Sequence, residues 1–359
     1  MKIQQIIFSE VGPLINPTIN LKSDWSGNIE SNILFTGPNG CGKSTVLRAV
    51  AALWTALGEW LDGRKALPKN AHTREWLQRW GGCAVVLSDV PHLPSRQDGQ
   101  DGLLAIVFGE TGWVEKLRAS MSEVQWIGES VSRTGKPGAP KRDLLLPDGE
   151  WLEKLAEARR RMVLSFEKST TPFPNLIYLD AEERRWVSPR RGVGSVVADD
   201  PAARWLPRYL ASEDWKGQLE ASLISLKTTQ LHTFHAVIRR LNEFLRGKEI
   251  DPDIKPGENR LRVKVKNQRG MNHSMDDLSA GEHQVLILIY VLERWGEEGC
   301  VVMIDEPDLY LHPSLVSSML SCLEQLVADK NGQLLITSHQ PEIWQRYELN
   351  GLRIELEAA

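Results

Sequence analysis

Nine residues, Gly37-Pro38-Asn39-Gly40-Cys41-Gly42-Lys43-Ser44-Thr45, hold three glycines, one lysine and two hydroxyls. Their spacing is G-x-x-x-x-G-K-[ST], a loop that cradles a phosphate chain. Glycines let backbone N–H groups converge on phosphates with no Cβ in the way. Lys43 brings a compact positive charge to the β- and γ-phosphates. Ser44 offers a hydroxyl to Mg²⁺, and Thr45 can donate to a phosphate. The loop has this meaning only between a strand and a helix. "NILF" before it is a short apolar run, and "STVLRAVAALWTALGEWL" after it has apolar residues at helical spacing. The start of that helix adds free N–H donors and a positive dipole end. The expected ligand is therefore a nucleotide, with Mg²⁺.

Two later stretches carry further chemistry. "CVVMIDEP" is an apolar strand that ends in Asp305-Glu306. A carboxylate at the C-terminal edge of a buried parallel strand stands near such a loop. Asp305 can hold the Mg²⁺ shell, and Glu306 can orient or deprotonate the attacking water. "QLLITSHQP" is another apolar strand, one helical crossover later, and ends at His339, which is expected to contact a γ-phosphate. Between the loop and the acids lies "DDLSAGEHQVL". Its Ser279, Ala280 and Gly281 precede a run, "VLILIY", that fits a strand by propensity or a fully buried helix by context.

The elements that must position these residues fall into three parts. Residues 1–110 read as short strands, the loop and its helix, then the strands "CAVVLSDV" and "GLLAIVFGE". Residues 111–260 read as a mostly helical lobe, with 127–150, rich in Gly, Pro and charge, as its least ordered stretch. Residues 261–359 alternate helix and strand, an α/β signature. No repeats or sustained heptads are present. The expected fold class is α/β.

With 42% hydrophobic and 25% charged residues, the 359-residue chain can bury a core. A net charge of −4 excludes a global basic field for nucleic acid, leaving only local contacts to DNA or RNA. Arg184, Arg185, Arg190 and Arg191 cluster in one segment, and Arg133, Lys136, Lys141 and Arg142 in another; either could meet phosphate or be a solvated loop. Four scattered cysteines without C-x-x-C argue against zinc or disulfides and fit a reducing cytoplasm. The longest apolar run, Val285 to Leu292, is too short to span a bilayer, so no membrane partner is expected. No second catalytic centre is visible: no metal cluster, G-x-S-x-G or Cys/His pair.

"GPNGCGKST", "LSAGE", "MIDEP" and "TSH" occur in the order found in ATP-binding-cassette (ABC) ATPases, which the chain resembles as a P-loop ATPase. The resemblance covers the first ~60 and last ~90 residues best, and implies a mixed sheet flanked by helices, with the opening strands and the "CAVVLSDV" and "GLLAIVFGE" pair as an antiparallel β-subdomain. It implies that Leu278 to Glu282 is a signature segment completing the ATP site of an opposite subunit, through Ser279, Ala280 and Gly281. The implied working form is a head-to-tail homodimer around two ATPs, or a higher oligomer. "DEPDLYLHP" puts His312 where transporter ATPases carry Asp. That resembles the soluble branch of SMC-like, RecF-like and OLD-like ATPases, as do the 234 positions between Ser44 and Leu278. ATPases of this kind in bacterial anti-phage systems (PtuA-like and retron-associated) stand beside a separate effector, a nuclease or toxin. "IYLDAEERRW" is similar to a tyrosine–acid–arginine loop of that group. The resemblance also leaves three other roles open: RecF-like DNA repair, a transporter subunit, and a module that holds ATP without turning it over.

Overall fold

The computed structural model describes residues 1–95, 102–132, 141–164, 173–187, 201–211, 218–254, 260–266, 268 and 270–357. Alternating apolar residues form β1 (Lys2–Ser9) and β2 (Thr18–Asn20). β3 (Asn32–Thr36) runs into the glycine loop and α1 (Lys43–Gly63). Then come α2 (His72–Leu77), β4 (Gly82–Ser88), β5 (Leu103–Glu110), α3 (Thr111–Ser120), β6 (Val124–Ser132) and β7 (Lys141–Leu145). They are followed by α4 (Glu150–Leu164), β8 (Leu176–Leu179), α5 (Gln218–Thr229), α6 (Leu231–Phe244), β9 (Lys248–Asp251), β10 (Arg262–Val265) and β11 (Asn272–Ser274). The last third holds α7 (Ala280–Trp295), β12 (Val301–Ile304), α8 (Pro313–Ala328), β13 (Gln333–Thr337), α9 (Pro341–Asn350) and β14 (Leu352–Glu355).

Five strands, in the order β14-β3-β13-β12-β8, form one parallel sheet. Strands β3, β13, β12 and β8 are largely apolar and buried, as expected where helices cover both faces, while β14 at the edge is part-exposed. Parallel pairing puts the C-terminal ends of β3, β13, β12 and β8 on one edge, where ligands bind in open α/β sheets. A second sheet has the order β2-β1-β4-β5-β6-β7. It is antiparallel except at β5–β6, where α3 supplies the crossover that a parallel pair requires. A small antiparallel sheet, β11-β10-β9, completes the fold.

Helix α1 lies between the two larger sheets, touching β4, β5 and β6 on one side and β8 on the other. Its core face includes Val46, Leu47, Val50, Leu53, Leu57 and Leu61. Behind it, Trp54 and Trp205 stack at 4.2 Å and 8°. Each indole N–H donates to the other residue's carbonyl at 2.8 Å, so both polar atoms are satisfied inside the core. Gln333 fastens the two sheets. Its Oε1 accepts from Ile3 N–H at 2.7 Å, and its Nε2 donates to Ile3 O at 3.0 Å and Glu30 O at 2.8 Å.

The expected α/β class holds, with a mixed architecture of helix-flanked parallel sheet and largely antiparallel second sheet. Two details differ from expectation. The stretch 127–150, read as least ordered, contains most of β6 and all of β7, paired antiparallel from Gly128↔Leu145 to Ser132↔Lys141. Its Ser, Glu and Gly residues hid the pattern, yet Glu129 and Ser130 are buried. The stretch 111–260 carries α3 to α6 but also gives β6 and β7 to the second sheet and β8 to the parallel sheet. The ambiguous "VLILIY" is helical: it is the middle of α7, with every residue from His283 to Leu292 buried. Among the described residues no helix is long and apolar enough to cross a membrane.

Candidate functional site

The loop after β3 is built by its glycines. Gly37, Gly40 and Gly42 have φ of 137°, 82° and 101°, which side chains rarely adopt. A Cβ on Gly37 would lie 2.3 Å from Leu356 O and 2.8 Å from Cys41 Sγ. At Gly40, by contrast, the space is open, and Pro38, Asn39 and Gly40 are exposed. Lys43 curls back over the loop, its Nζ donating to Gly37 O and Pro38 O at 3.0 Å each. Cys41 is buried beneath, 3.8 Å from that ammonium. Ser44 and Thr45, half-buried, open α1, whose first turn carries no acid to compete with a phosphate.

The register of the sheet brings the other residues to the same edge. Thr337 of β13 pairs with Phe35 of β3, and Ile304 of β12 pairs with Ile336 of β13. Asp305 is 4% exposed and accepts from Thr337 Oγ1 at 2.6 Å. That same hydroxyl oxygen accepts from Glu306 N–H at 2.9 Å. Glu306 has φ 48°, a left-handed backbone that is uncommon outside glycine, and its half-buried carboxylate lies 3.5 Å from His339 Nε2. Asp308 is buried nearby; burial pushes its carboxyl up from the ordinary carboxylate range. The loop, Asp305, Glu306 and His339 thus stand at the C-terminal edge of one sheet.

Ser279, Ala280 and Gly281 do not join them. They start α7, and among the described residues no hydrogen bond or ion pair links them to residues 37–45. Ser279 is the N-cap in a capping box with Glu282: Ser279 N–H donates to Glu282 Oε2 at 2.8 Å, and Glu282 N–H donates to Ser279 Oγ at 3.3 Å. Lys248 holds the Glu282 carboxylate at 2.9 and 3.0 Å. Gly281 is fixed by close approach, since a Cβ there would lie 2.8 Å from Tyr310 O. Gly281→Ala should therefore lower stability by about 1–3 kcal/mol, the overpacking range. A denaturant midpoint equal to wild type would show that the Tyr310 loop simply moves away.

Several residues at this edge had no assigned role in the sequence. Asp180 follows β8 beside Asp305; it accepts from Tyr178 O–H at 2.7 Å and from Arg48 Nε at 3.1 Å. Burial opposes its charge, but these hydrogen bonds hold its carboxyl below the ordinary range. The rule that singled out Asp305, a carboxylate at a strand's end, also fits Asp180 in "NLIYLD". Arg184, read as a possible phosphate ligand, is fully buried instead. Burial brings its guanidinium down to about 10, with Asp305 and Asp180 opposing, so it stays charged at neutral pH. Arg142 of the second basic cluster is paired with Glu129 inside the six-stranded sheet. Arg133, Lys136, Arg190 and Arg191 lie outside the described residues.

A family model described as "AAA domain, putative AbiEii toxin, Type IV TA system" matches residues 141–344, more than half of the chain. The chain is 24% identical over 372 aligned positions to the retron Ec83 probable ATPase of Escherichia coli, covering 90% of this chain and 66% of that protein. A 68-residue stretch is 37% identical to protein ea59 of Escherichia phage lambda, covering 19% of this chain and 13% of that protein. The chain therefore spans just under two thirds of the first relative's length and a small part of the second. The SMC head domain from Thermotoga maritima superposes partially, with TM-score 0.44 and 14% identity, over 99% of this chain and 94% of that domain.

Proposed function

This chain belongs to the AAA-domain family matched by residues 141–344, and from that premise we propose that it binds and hydrolyses ATP to control a separate effector. The observation that supports this most is the shared edge: the glycine loop, Asp305-Glu306 and His339 end neighbouring parallel strands β3, β12 and β13. In this reading the loop amides and Lys43 hold the phosphates, with Lys43 exchanging its two loop carbonyls for phosphate oxygens. Thr45 donates to a phosphate. Glu306 accepts the proton of the attacking water, and His339, beside it, contacts the γ-phosphate.

Hard oxygen donors suit magnesium, and the Ser44 hydroxyl and the buried Asp305 carboxylate are such a pair. Bound there, Mg²⁺ would neutralise charge on the transferred phosphoryl group. Thr337 Oγ1 aims Asp305, because it donates to Oδ1. The exposed head of α7, with no hydrogen bond or ion pair to its own chain's loop among the described residues, fits a site shared between two subunits, with Ser279 and Gly281 facing the partner's ATP. Dimerisation around ATP and release on hydrolysis are then the switch. The retron name of one relative and the toxin–antitoxin description of the family favour a role in phage defence, in the cytoplasm, with a nuclease or toxin as effector. RecF-like DNA binding is the second reading, and it loses support from the burial of Arg184 and the pairing of Arg142 with Glu129.

Two measurements test the proposal. Lys43→Ala should abolish binding of a fluorescent ATP analogue, and wild-type binding there would remove the loop from the site. The purified chain alone should cut neither DNA nor RNA, since among the described residues no group of acids, His or Cys could hold a nuclease metal. Cleavage that disappears with a mutation in this sequence would overturn the effector reading.

A further inference from the structure

The turn after β12 holds two non-glycine residues in left-handed backbone, Glu306 at φ 48° and Tyr310 at φ 64°. Such residues cost about 1–3 kcal/mol each and persist only where their surroundings hold them. At Glu306 two side chains hold the backbone: Thr337 Oγ1 accepts from its N–H, and Arg184 takes its carbonyl. Arg184 donates from NH2 to Glu306 O at 2.8 Å and, through a short contact, to Asp305 O. Its Nε reaches Asp180 O at 3.3 Å. Its NH1 donates to Gln284 Oε1 on α7 at 3.0 Å, and Gln284 Nε2 donates back to Arg184 O through another short contact. Four of its five N–H donors are thus engaged inside the protein, which leaves no face for a phosphate or nucleic acid.

The same segment also grips α7 and the turn that precedes it. Trp186 stacks on His283 at 4.2 Å and 5°, and its indole N–H donates to Asp276 Oδ1 at 2.8 Å. Among the described residues Arg184 has no carboxylate within salt-bridge distance. Its buried charge is held by three backbone carbonyls and one amide, so its energy depends on the positions of the β12 turn and α7 together. A buried cation without a carboxylate is an expensive way to fill space. A planar fork that reaches two consecutive carbonyls and a side-chain amide is something lysine cannot supply.

We propose that Arg184 is a positioning residue that ties the turn carrying Glu306 to the head of α7, so that displacement of the Ser279–Gly281 end is transmitted to the hydrolytic carboxylate of the same subunit. This rests on the hydrolysis reading above. Ser279 and Gln284 lie on the first turns of one capped helix, so α7 moves as a rigid lever. A partner's ATP that seats Ser279 then also sets Gln284, Arg184 and the Glu306 backbone. The two ATP sites of a dimer become coupled through each subunit's own Arg184–Gln284 pair.

The test uses Gln284→Leu, which removes both hydrogen bonds to Arg184 and keeps a good helix former, and Gln284→Glu, which keeps an acceptor facing the guanidinium. Hydrogen–deuterium exchange is read on the peptide 303–311 without nucleotide. That peptide carries the Glu306 amide bonded to Thr337 and the Leu309 amide bonded to Glu306 O. Gln284→Leu should speed exchange there at least tenfold while β4 and β5 exchange as in wild type. It should lower kcat at least tenfold with KM for ATP within threefold. Gln284→Glu should exchange more slowly than wild type at 303–311 and retain kcat within threefold. Unchanged exchange in both variants, or faster exchange spread evenly over the whole head, overturns the coupling. Should Gln284→Leu not fold, the Gln284→Glu exchange decides alone: slower supports the coupling, unchanged rejects it. A wild-type chain that hydrolyses no ATP removes the function proposal, and the exchange measurement still decides whether Arg184 links α7 to the turn.

Discussion

Glu306→Gln should hold ATP and turn it over at least ~10²-fold more slowly than wild type, the scale of losing a general base. The substitution is close to isosteric. The strained backbone at residue 306 is fixed through its own N–H and C=O, by Thr337 and Arg184, so it survives the change. The side chain's neighbour is His339 Nε2 at 3.5 Å, which an amide oxygen can still meet. What is lost is the ability to take a proton from water. Phosphate release in a single turnover, beside equilibrium binding of a fluorescent ATP analogue, separates the two effects. A variant that releases phosphate at the wild-type rate would assign the base elsewhere, and Asp308, buried with one oxygen lacking a hydrogen-bond partner, would be examined next.

Ser279→Arg should leave nucleotide binding within about threefold and lower turnover by at least ~10²-fold, the scale of losing a donor aimed at the transition state. The glycine loop forms within one subunit and does not touch Ser279, so binding by that loop is spared. An arginine at the head of α7 would crowd the place where the partner's γ-phosphate is proposed to sit. The change also removes an N-cap, worth about 1 kcal/mol. Ser279→Asn keeps a cap and separates that cost from the block. Mixing Ser279→Arg with Lys43→Ala chains creates dimers in which one composite site has an intact loop and an intact Ser279. Activity that returns on mixing supports a shared site. Full turnover by Ser279→Arg alone would place the working site within a single chain.

The edge chemistry was legible because it obeys local rules. A glycine spacing fixes a loop, and an acid or histidine at the end of an apolar strand marks the edge of a parallel sheet. The same rule would have found Asp180. Helix α7 was undecided by propensity, since Val285 to Leu292 is apolar throughout. The deciding signal was just upstream: Ser279 and Glu282, six and three residues before Val285, form a capping box, which favours a helix over a strand. The strands β6 and β7 were missed because a strand in the middle of a sheet can bury Glu129 and Ser130 when they have partners. Glu129 meets Leu67 N–H and Arg142, and that pairing is not written in the local sequence. Arg184 misled for a related reason. An arginine in a charged loop reads as solvated, and only the packing of "AEERRW" between β12 and α7 turns it inward.

Strand β3, which delivers the glycine loop, has as its only sheet neighbours β13 and β14, which follow near the other end of the chain. During synthesis roughly 300 residues separate their emergence, about 15–60 s at 5–20 residues per second. The early strands β1, β2, β4 and β5 can pair among themselves in that interval, but β3 must wait. Loop closure over such a distance makes its docking a late event. Until it docks, the glycine spacing exists in the nascent chain without the pocket, and a chain released before β13 carries the pattern with no means of gripping a nucleotide.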